Sequence, residues 1–282
     1  MTNRRQFLAT IGGAAIGASA LARIRILHAD DSAHKLAKIG IQLYTVRDLM
    51  KSDLEGTLAK LAQIGYREVE FAGYFDRTPK QIRSILKANR LTSPSAHLPW
   101  PGSNDDAWKK SLDAAKTIGH KWAVVPWFEE SMRNDWAAKA DRINQMATMA
   151  KTRGMRVAYH NHDFEFAQVG NGTALELLLE KTDPKLVDFE MDIYWVVKAG
   201  GDPLDLIKRH PNRFKLLHAK DATAAPERRM ADVGSGTIDF ASIFSQAKQS
   251  GMQHVFMERD DAPDPLASAR ASFKHLSTLK FS

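Results

Sequence analysis

A single-domain (β/α)8 barrel is the fold this sequence predicts, on three observations. From Lys38 onward eight short apolar runs alternate with amphipathic stretches, the runs start every 25 to 39 residues, and no Pro/Gly/Ser-rich linker breaks the series. That interval is the length of one strand, loop, helix and loop, and eight such units in about 250 residues make a closed barrel. The rival, an open doubly wound sheet, would carry a glycine-rich phosphate loop after its first strand. Neither G-x-G-x-x-G nor a Walker sequence stands there.

In chain order the expected strands are Lys38-Leu43, Tyr66-Phe71, Leu91-Ala96, Trp122-Val125, Met155-Tyr159, Leu186-Met191, Phe214-Leu217 and Gln253-Met257. Between them the spacing predicts helices such as Asp53-Ile64, Pro79-Asn89, Asp106-Ile118, Asp135-Arg153 and Ala174-Lys181. Several close on a glycine (Gly65, Gly119, Gly154, Gly251), the residue that ends helices most easily. The barrel is expected over residues 36–282.

Composition sets the outer limits. The 282 residues are 44% hydrophobic and 26% charged, which is globular, and the absence of cysteine excludes disulfides, thiolate metal sites and cysteine nucleophiles. Forty basic residues against 33 acidic give +7, which raises the question of a nucleic-acid or membrane partner. The N-terminus answers it. Arg4-Arg5-Gln6-Phe7-Leu8 precedes an uncharged run from Ala9 to Ala22, the pattern of a twin-arginine export signal, with cleavage expected after Ala22 or Ala29. A membrane anchor is the competing reading, but the run is short for a span and diluted by Gly12, Gly13 and Gly17. Removing residues 1–29 takes away Arg4, Arg5, Arg23 and Arg25 and no acid, so 36 basic and 33 acidic residues remain, a balance of +3. A periplasmic or otherwise exported enzyme without a nucleic-acid partner or a stable membrane span is therefore expected, with an oligomer left open.

In a barrel the chemistry gathers where the strands end. The fifth strand runs into Tyr159-His160-Asn161-His162-Asp163-Phe164-Glu165, the sixth ends at Met191-Asp192, the seventh at Leu217-His218-Ala219-Lys220-Asp221, and the eighth at Met257-Glu258. Singly, each has a bland explanation: a hydrogen-bonded histidine, an aspartate helix cap, a glutamate paired with Arg259. Together, at one phase of four successive units, His160, Asp192, His218 and Glu258 are a candidate site for a divalent metal.

These motifs, with Val233-Gly234-Ser235-Gly236-Thr237-Ile238-Asp239 and Phe256-Met257-Glu258, resemble the xylose isomerase-like barrels of the sugar phosphate isomerase/epimerase family. That family includes ketose 3-epimerases, inosose dehydratase and 3-keto-sugar lyases or hydratases, and the resemblance runs from about Lys38 to the C-terminus. It implies one Mn, Co, Mg or Zn ion held by Glu, Asp, His and Glu, of which Asp192, His218 and Glu258 match the last three. At the first position this chain has His160, with Glu165 further on as the alternative ligand. The resemblance further implies metal-assisted proton abstraction beside a carbohydrate carbonyl, as an isomerase or epimerase. Because the epimerases use a pair of metal-bound glutamates, a chain with Glu258 alone suits a lyase or hydratase as the alternative activity, and a non-catalytic sugar-binding protein is the alternative of another class.

Beside Glu258, the candidate acid/base and oxyanion-holding residues are His162, His97 and Lys220. Gln42, Glu70, Trp100, Trp127 and Trp195 follow other strand ends and are candidate contacts for a small carbohydrate or keto-sugar, the tryptophans through their flat apolar faces. Arg228, in the long segment Ala222-Gly236, is a candidate partner for an anionic substrate group. The related endonuclease branch would need a basic groove and three zinc ions with more His and Glu ligands, neither of which the sequence offers.

Overall fold

The computed structural model describes residues 34–282; the expected export signal, residues 1–29, lies outside them. Eight parallel strands close into a barrel: β1 (Gly40–Gln42), β2 (Glu68–Ala72), β3 (Ser95–His97), β4 (Trp122–Val125), β5 (Arg156–His160), β6 (Val187–Asp192), β7 (Phe214–Ala219) and β8 (His254–Met257). Closure is made by β1 against β8, with Gly40 opposite Phe256 and Ile41 opposite Met257. Gly40 is required there by space, since a Cβ would lie 2.4 Å from the Phe256 ring. Each strand is followed by a helix: α1 (Leu54–Ile64), α2 (Pro79–Ala88), α3 (Asp105–Ile118), α4 (Trp136–Lys151), α5 (Ala174–Lys181), α6 (Pro203–Arg209), α7 (Phe240–Ser245) and α8 (Pro265–Thr278).

The helices start where their caps dictate. Asp53 accepts from the Gly56 amide ahead of α1, and Thr78 forms a capping box with Gln81 ahead of α2, whose first residue is Pro79. Each helix then turns one apolar stripe inward, as Leu54, Leu58 and Leu61 do in α1. Burying each such leucine contributes roughly 1.5–3 kcal/mol. Two strands, β1 and β3, are half the length the sequence predicts. Leu43 leaves β1 for a 3-10 turn over Leu43–Val46, whose Tyr44 amide donates to the Gln42 side chain. β3 begins at Ser95 because Pro94 has no amide to give the ladder.

Side chains of alternate strand residues fill the barrel in layers. At the closed end Arg156 pairs with Asp188, whose Oδ2 also accepts from the Trp122 indole at 2.7 Å, and His254 meets Glu68 at 2.6 Å. Above them Trp122, Val124, Ala158, Leu216 and Phe256 form an apolar plate separate from the main core, which lies between strands and helices. Above the plate, at the C-terminal ends of the strands, the interior is polar and charged.

Candidate active site

β6 reads Val187-Asp188-Phe189-Glu190-Met191-Asp192, and its period of two sends Asp188, Glu190 and Asp192 into the barrel at successive heights. Its neighbours do the same with Ala158 and His160 of β5 and with Leu216 and His218 of β7. Beyond the ladder Lys220 and Glu258 continue the phase. The upper layer brings Asp192, His218 and Glu258 together, with ligand atoms all within 4.8 Å of one another, and sets His160 beside them; His160 also belongs to a second such group with His97, Glu190 and His218. His160 Nε2 lies 3.9 Å from Asp192 Oδ2, His218 Nδ1 lies 4.0 Å from the same oxygen, and His218 Nδ1 lies 3.0 Å from Glu258 Oε2. These are the separations of ligand atoms around one small cation, for which tetrahedral bonds of about 2.1 Å give about 3.4 Å.

Asp192 serves the helix and the site at once. Its Oδ1 accepts from the Trp195 amide as a helix cap, and its backbone amide donates to Asn161 Oδ1 at 3.1 Å, locking the ends of β5 and β6 together. Oδ2 is buried without a hydrogen-bond partner and faces the two imidazoles. A buried acceptor left open beside two imidazoles and a second carboxylate fits a divalent cation. So does the donor set, in which two carboxylates and an imidazole, Asp192, Glu258 and His218, converge in buried positions.

Below the ligand layer lies a second one, which the strand-end reading did not anticipate as a unit. Glu190 Oε2 stands 2.7 Å from His97 Nε2, 3.1 Å from His160 Nδ1 and 3.2 Å from His218 Nε2. Glu70 Oε2 receives Gln42 Nε2 at 2.7 Å and lies 2.8 Å from His218 Nε2. Glu190 was missed as a site residue, although three acids at alternate positions of one buried strand were a readable signal. Gln42 and Glu70, expected to touch substrate, are fully buried in this floor.

The protonation pattern follows from these neighbours. Burial works against the charge of His218 and His97, but Glu190 and Glu258 beside the first and Glu70 and Glu190 beside the second outweigh it. His218 is held well above the usual imidazole range and His97 is pushed up to about 10. His160 goes the other way, well below that range, because burial and three neighbouring imidazoles outweigh its bond to Glu190. Burial and Glu258 raise Asp192 to about 7, whereas Lys220 and His218 overcome burial to hold Glu258 far below the usual carboxylate range.

Glu165 does not reach the ligand set. It is fully buried, accepting from the Tyr159 hydroxyl at 2.6 Å and the His162 amide at 2.8 Å, and burial raises its pKa to about 7. Of the two candidates for the first ligand position, His160 is the one that stands beside Asp192 and His218. Lys220 Nζ lies 3.1 Å from Glu258 Oε2, 3.5 Å from Asp192 Oδ2 and 2.7 Å from Asp260 Oδ2, so it bridges the ligand layer to the mouth. Asp260 was not singled out from sequence; it lies on the loop beyond β8, and burial together with Glu258 raises its pKa.

Over this layer opens a cavity of about 550 Å3 with two unlike walls. Ala72 at the end of β2, with Tyr44, Gly73, Leu98, Pro99, Pro126 and Trp127 from the segments after β1 to β4, makes an apolar side. His160, His162, Lys220, Glu258 and Asp260 make the charged side, with His97 between. Of the expected substrate contacts Trp127 lines this cavity. Trp100 packs edge-on against Phe128, 4.9 Å between ring centres, and belongs to the loop packing. Trp195 stands behind the wall, with the Lys220 ammonium 5.3 Å from its ring. Arg228 also lies outside the lining, its carbonyl receiving the Tyr194 hydroxyl. Loop paths, unlike strand phase, are not written in a period of two. His162 is half-buried between the cavity and the rings of Phe164 and Trp195, and desolvation with the Lys220 charge lowers its pKa to about 3, leaving a neutral imidazole.

The loop Val233-Gly234-Ser235-Gly236-Thr237-Ile238-Asp239 is pinned beside this mouth by one carboxylate. Asp221 accepts from the amides of Ala222, Gly234, Gly236 and Ile238. Gly236 has no room for a side chain, because a Cβ would lie 2.3 Å from both Asp221 Oδ1 and the Ala222 carbonyl.

A closed eight-stranded barrel with a histidine and carboxylate cluster at its C-terminal mouth defines a class of small-molecule enzymes. The profile of the xylose isomerase-like TIM barrel family matches residues 58–279, and the chain belongs to that family. It is 25% identical over 256 residues to an inosose dehydratase of Geobacillus thermodenitrificans, covering 74% of this chain and 83% of that one. A sugar phosphate isomerase/epimerase from Parabacteroides distasonis superimposes with a TM-score of 0.75 at 27% identity, covering 88% of this chain and 96% of that one. A protein called IOLI, solved with a bound zinc atom, shares the fold with a TM-score of 0.65 at 15% identity, covering 84% of this chain and 95% of that one. No helix among the described residues is long and apolar enough to cross a membrane.

Proposed function

We propose that the protein is a metal-dependent lyase that abstracts a proton beside the carbonyl of a keto-sugar or cyclic keto-polyol and expels a β-substituent. The observation that carries this reading is the asymmetry of the mouth. One carboxylate of the ligand set, Glu258, lines the cavity; His160 stands where a second would be needed, and Glu165 is sequestered below. A two-faced proton exchange needs a base on each side of the enolate, whereas an elimination needs one.

His160, Asp192, His218 and Glu258 would hold the cation, which when bound polarises the carbonyl oxygen and stabilises the enolate. Glu258, kept ionised by Lys220, takes the α-proton, and the C–H electron pair becomes the double bond of the enolate. Lys220 donates to the developing oxyanion. As the carbonyl re-forms, those electrons make the α,β double bond and the β C–O bond breaks. The departing oxygen takes a proton from Asp260, whose raised pKa suits an acid, while His162 and His97 line the cavity without a part in the transfer. Water added to the same enone in reverse is a hydratase reaction.

The apolar wall accepts the C–H face of a ring, with Tyr44 and Trp127 at the rim, and the kinship with inosose dehydratases favours a cyclic ketone. Isomerase or epimerase activity is the second reading, favoured by the Parabacteroides distasonis relative. Metal-loaded protein incubated with inososes and 3-keto-glycosides in D2O separates these. The expected result is an unsaturated ketone seen by ultraviolet absorbance; a deuterated, inverted centre without it establishes the epimerase instead. Unexchanged C–H bonds indicate a sugar-binding protein. We also propose that residues 1–29 direct export to the periplasm, supported by the paired arginines and the uncharged run behind them. Arg4→Lys with Arg5→Lys should then retain the protein in the cytoplasm.

A further inference from the structure

Each of the two ligand imidazoles shows one nitrogen to the ligand set and the other to the carboxylate floor, but in opposite senses. His160 turns Nε2 toward Asp192 Oδ2, at 3.9 Å, and Nδ1 toward Glu190 Oε2, at 3.1 Å. His218 turns Nδ1 toward Glu258 Oε2, at 3.0 Å, and Nε2 toward Glu70 and Glu190, at 2.8 and 3.2 Å. A ligating imidazole must offer a lone pair on one nitrogen and place its proton on the other, and the partner of that second nitrogen decides which is which. Glu190, without exposure and with a single oxygen among three imidazoles, is built as such a partner.

We propose that Glu190 is a positioning residue that holds His160 as the Nδ1–H tautomer with Nε2 free for the metal, while Glu190 and Glu70 together hold His218 as the opposite, Nε2–H tautomer. His160 and Glu190 are then one unit: a histidine at the end of β5 needs an acceptor directly beneath it, and β6 supplies that acceptor two residues before its own ligand, Asp192. A glutamate at position 160 would instead face the Glu190 carboxylate and be repelled. The inference rests on the ligand set proposed above.

The test is zinc-loaded protein carrying 15N-histidine, read by long-range proton–nitrogen NMR, with zinc affinity measured by calorimetry. His160 is expected to show a protonated Nδ1 and a zinc-bound Nε2, and His218 the reverse. Metal bound through Nδ1 of His160 would overturn the proposal and make Glu190 part of a deeper ligand set. Glu190→Gln, isosteric but unable to accept from several imidazoles through one charged oxygen, should weaken zinc binding tenfold to a hundredfold and mix the His160 tautomers; affinity within twofold and unchanged tautomers would refute it. Should that variant not fold, His160→Glu gives an independent reading. Facing the Glu190 carboxylate, it should bind zinc at least tenfold more weakly than the unsubstituted protein, whereas affinity within twofold counts against the pairing. Failure of the unsubstituted protein to bind zinc, manganese or cobalt would remove the ligand set itself, a result distinct from zinc bound through the wrong nitrogens.

Discussion

Replacing Glu165 with glutamine should change the pH dependence of stability and leave metal binding alone. Glu165 has no solvent exposure and its pKa rises from 4.5 to about 7, chiefly through burial, against the bonds from Tyr159 and the His162 amide. Below pH 4.5 folded and unfolded chains both hold the proton, and the residue costs the fold nothing. Between pH 4.5 and 7 the unfolded chain releases its proton while the folded one keeps it, so stability falls as pH rises; above 7 the loss is constant. The shift is worth about 3 kcal/mol at 1.36 kcal/mol per unit. Urea unfolding followed by tryptophan fluorescence, in chelator to remove bound metal, should show wild type losing about 3 kcal/mol relative to Glu165→Gln between pH 4.5 and 7.5. A difference that stays constant over that range refutes a buried, proton-holding Glu165. Loss of metal from the glutamine variant would refute its exclusion from the ligand set.

Asp192→Ala and His218→Ala should each abolish bound metal, measured by elemental analysis, with the barrel still folded by circular dichroism; unchanged metal content removes the site. Lys220→Met is expected to lower kcat by at least tenfold by withdrawing the charge from Glu258 and from the developing oxyanion, and steady-state kinetics on the identified keto-sugar would show it. Arg156→Met leaves Asp188 buried beneath the apolar plate with only the Trp122 indole as donor, and should destabilise the fold by about 3 kcal/mol in denaturant titration. Gly40→Ala forces a methyl into the Phe256 ring and should cost about 2 kcal/mol by the same assay.

The architecture was legible because barrel units repeat, and repetition survives errors at any one strand. His160, Asp192, His218 and Glu258 were legible for the same reason, as four polar residues at one phase of four successive strands. Glu190 was overlooked because a strand ending was read only at its last residue. In a barrel both faces of a strand are buried, so an acid in mid-strand is anything but a solvent-facing filler. Glu70 and Gln42 were placed at the right end of the barrel but one layer too high, which strand phase alone cannot resolve without the stagger between neighbouring strands. Asp260, Trp100 and Arg228 sit on loops and Trp195 on the short helix Ile193–Lys198 after β6, where burial depends on how the chain doubles back, and no strand phase records that.

The apolar plate of Val124, Ala158, Leu216 and Phe256 makes the reaction chamber a cul-de-sac. On the proposed reading, substrate, product and the water released or consumed pass through the cavity on the mouth side of this plate, which Trp127 and Asp260 help to line. A molecule of product still in that cavity bars the next substrate, so product inhibition should be purely competitive. Turnover would then be limited by departure whenever the product binds the apolar wall as well as the substrate does.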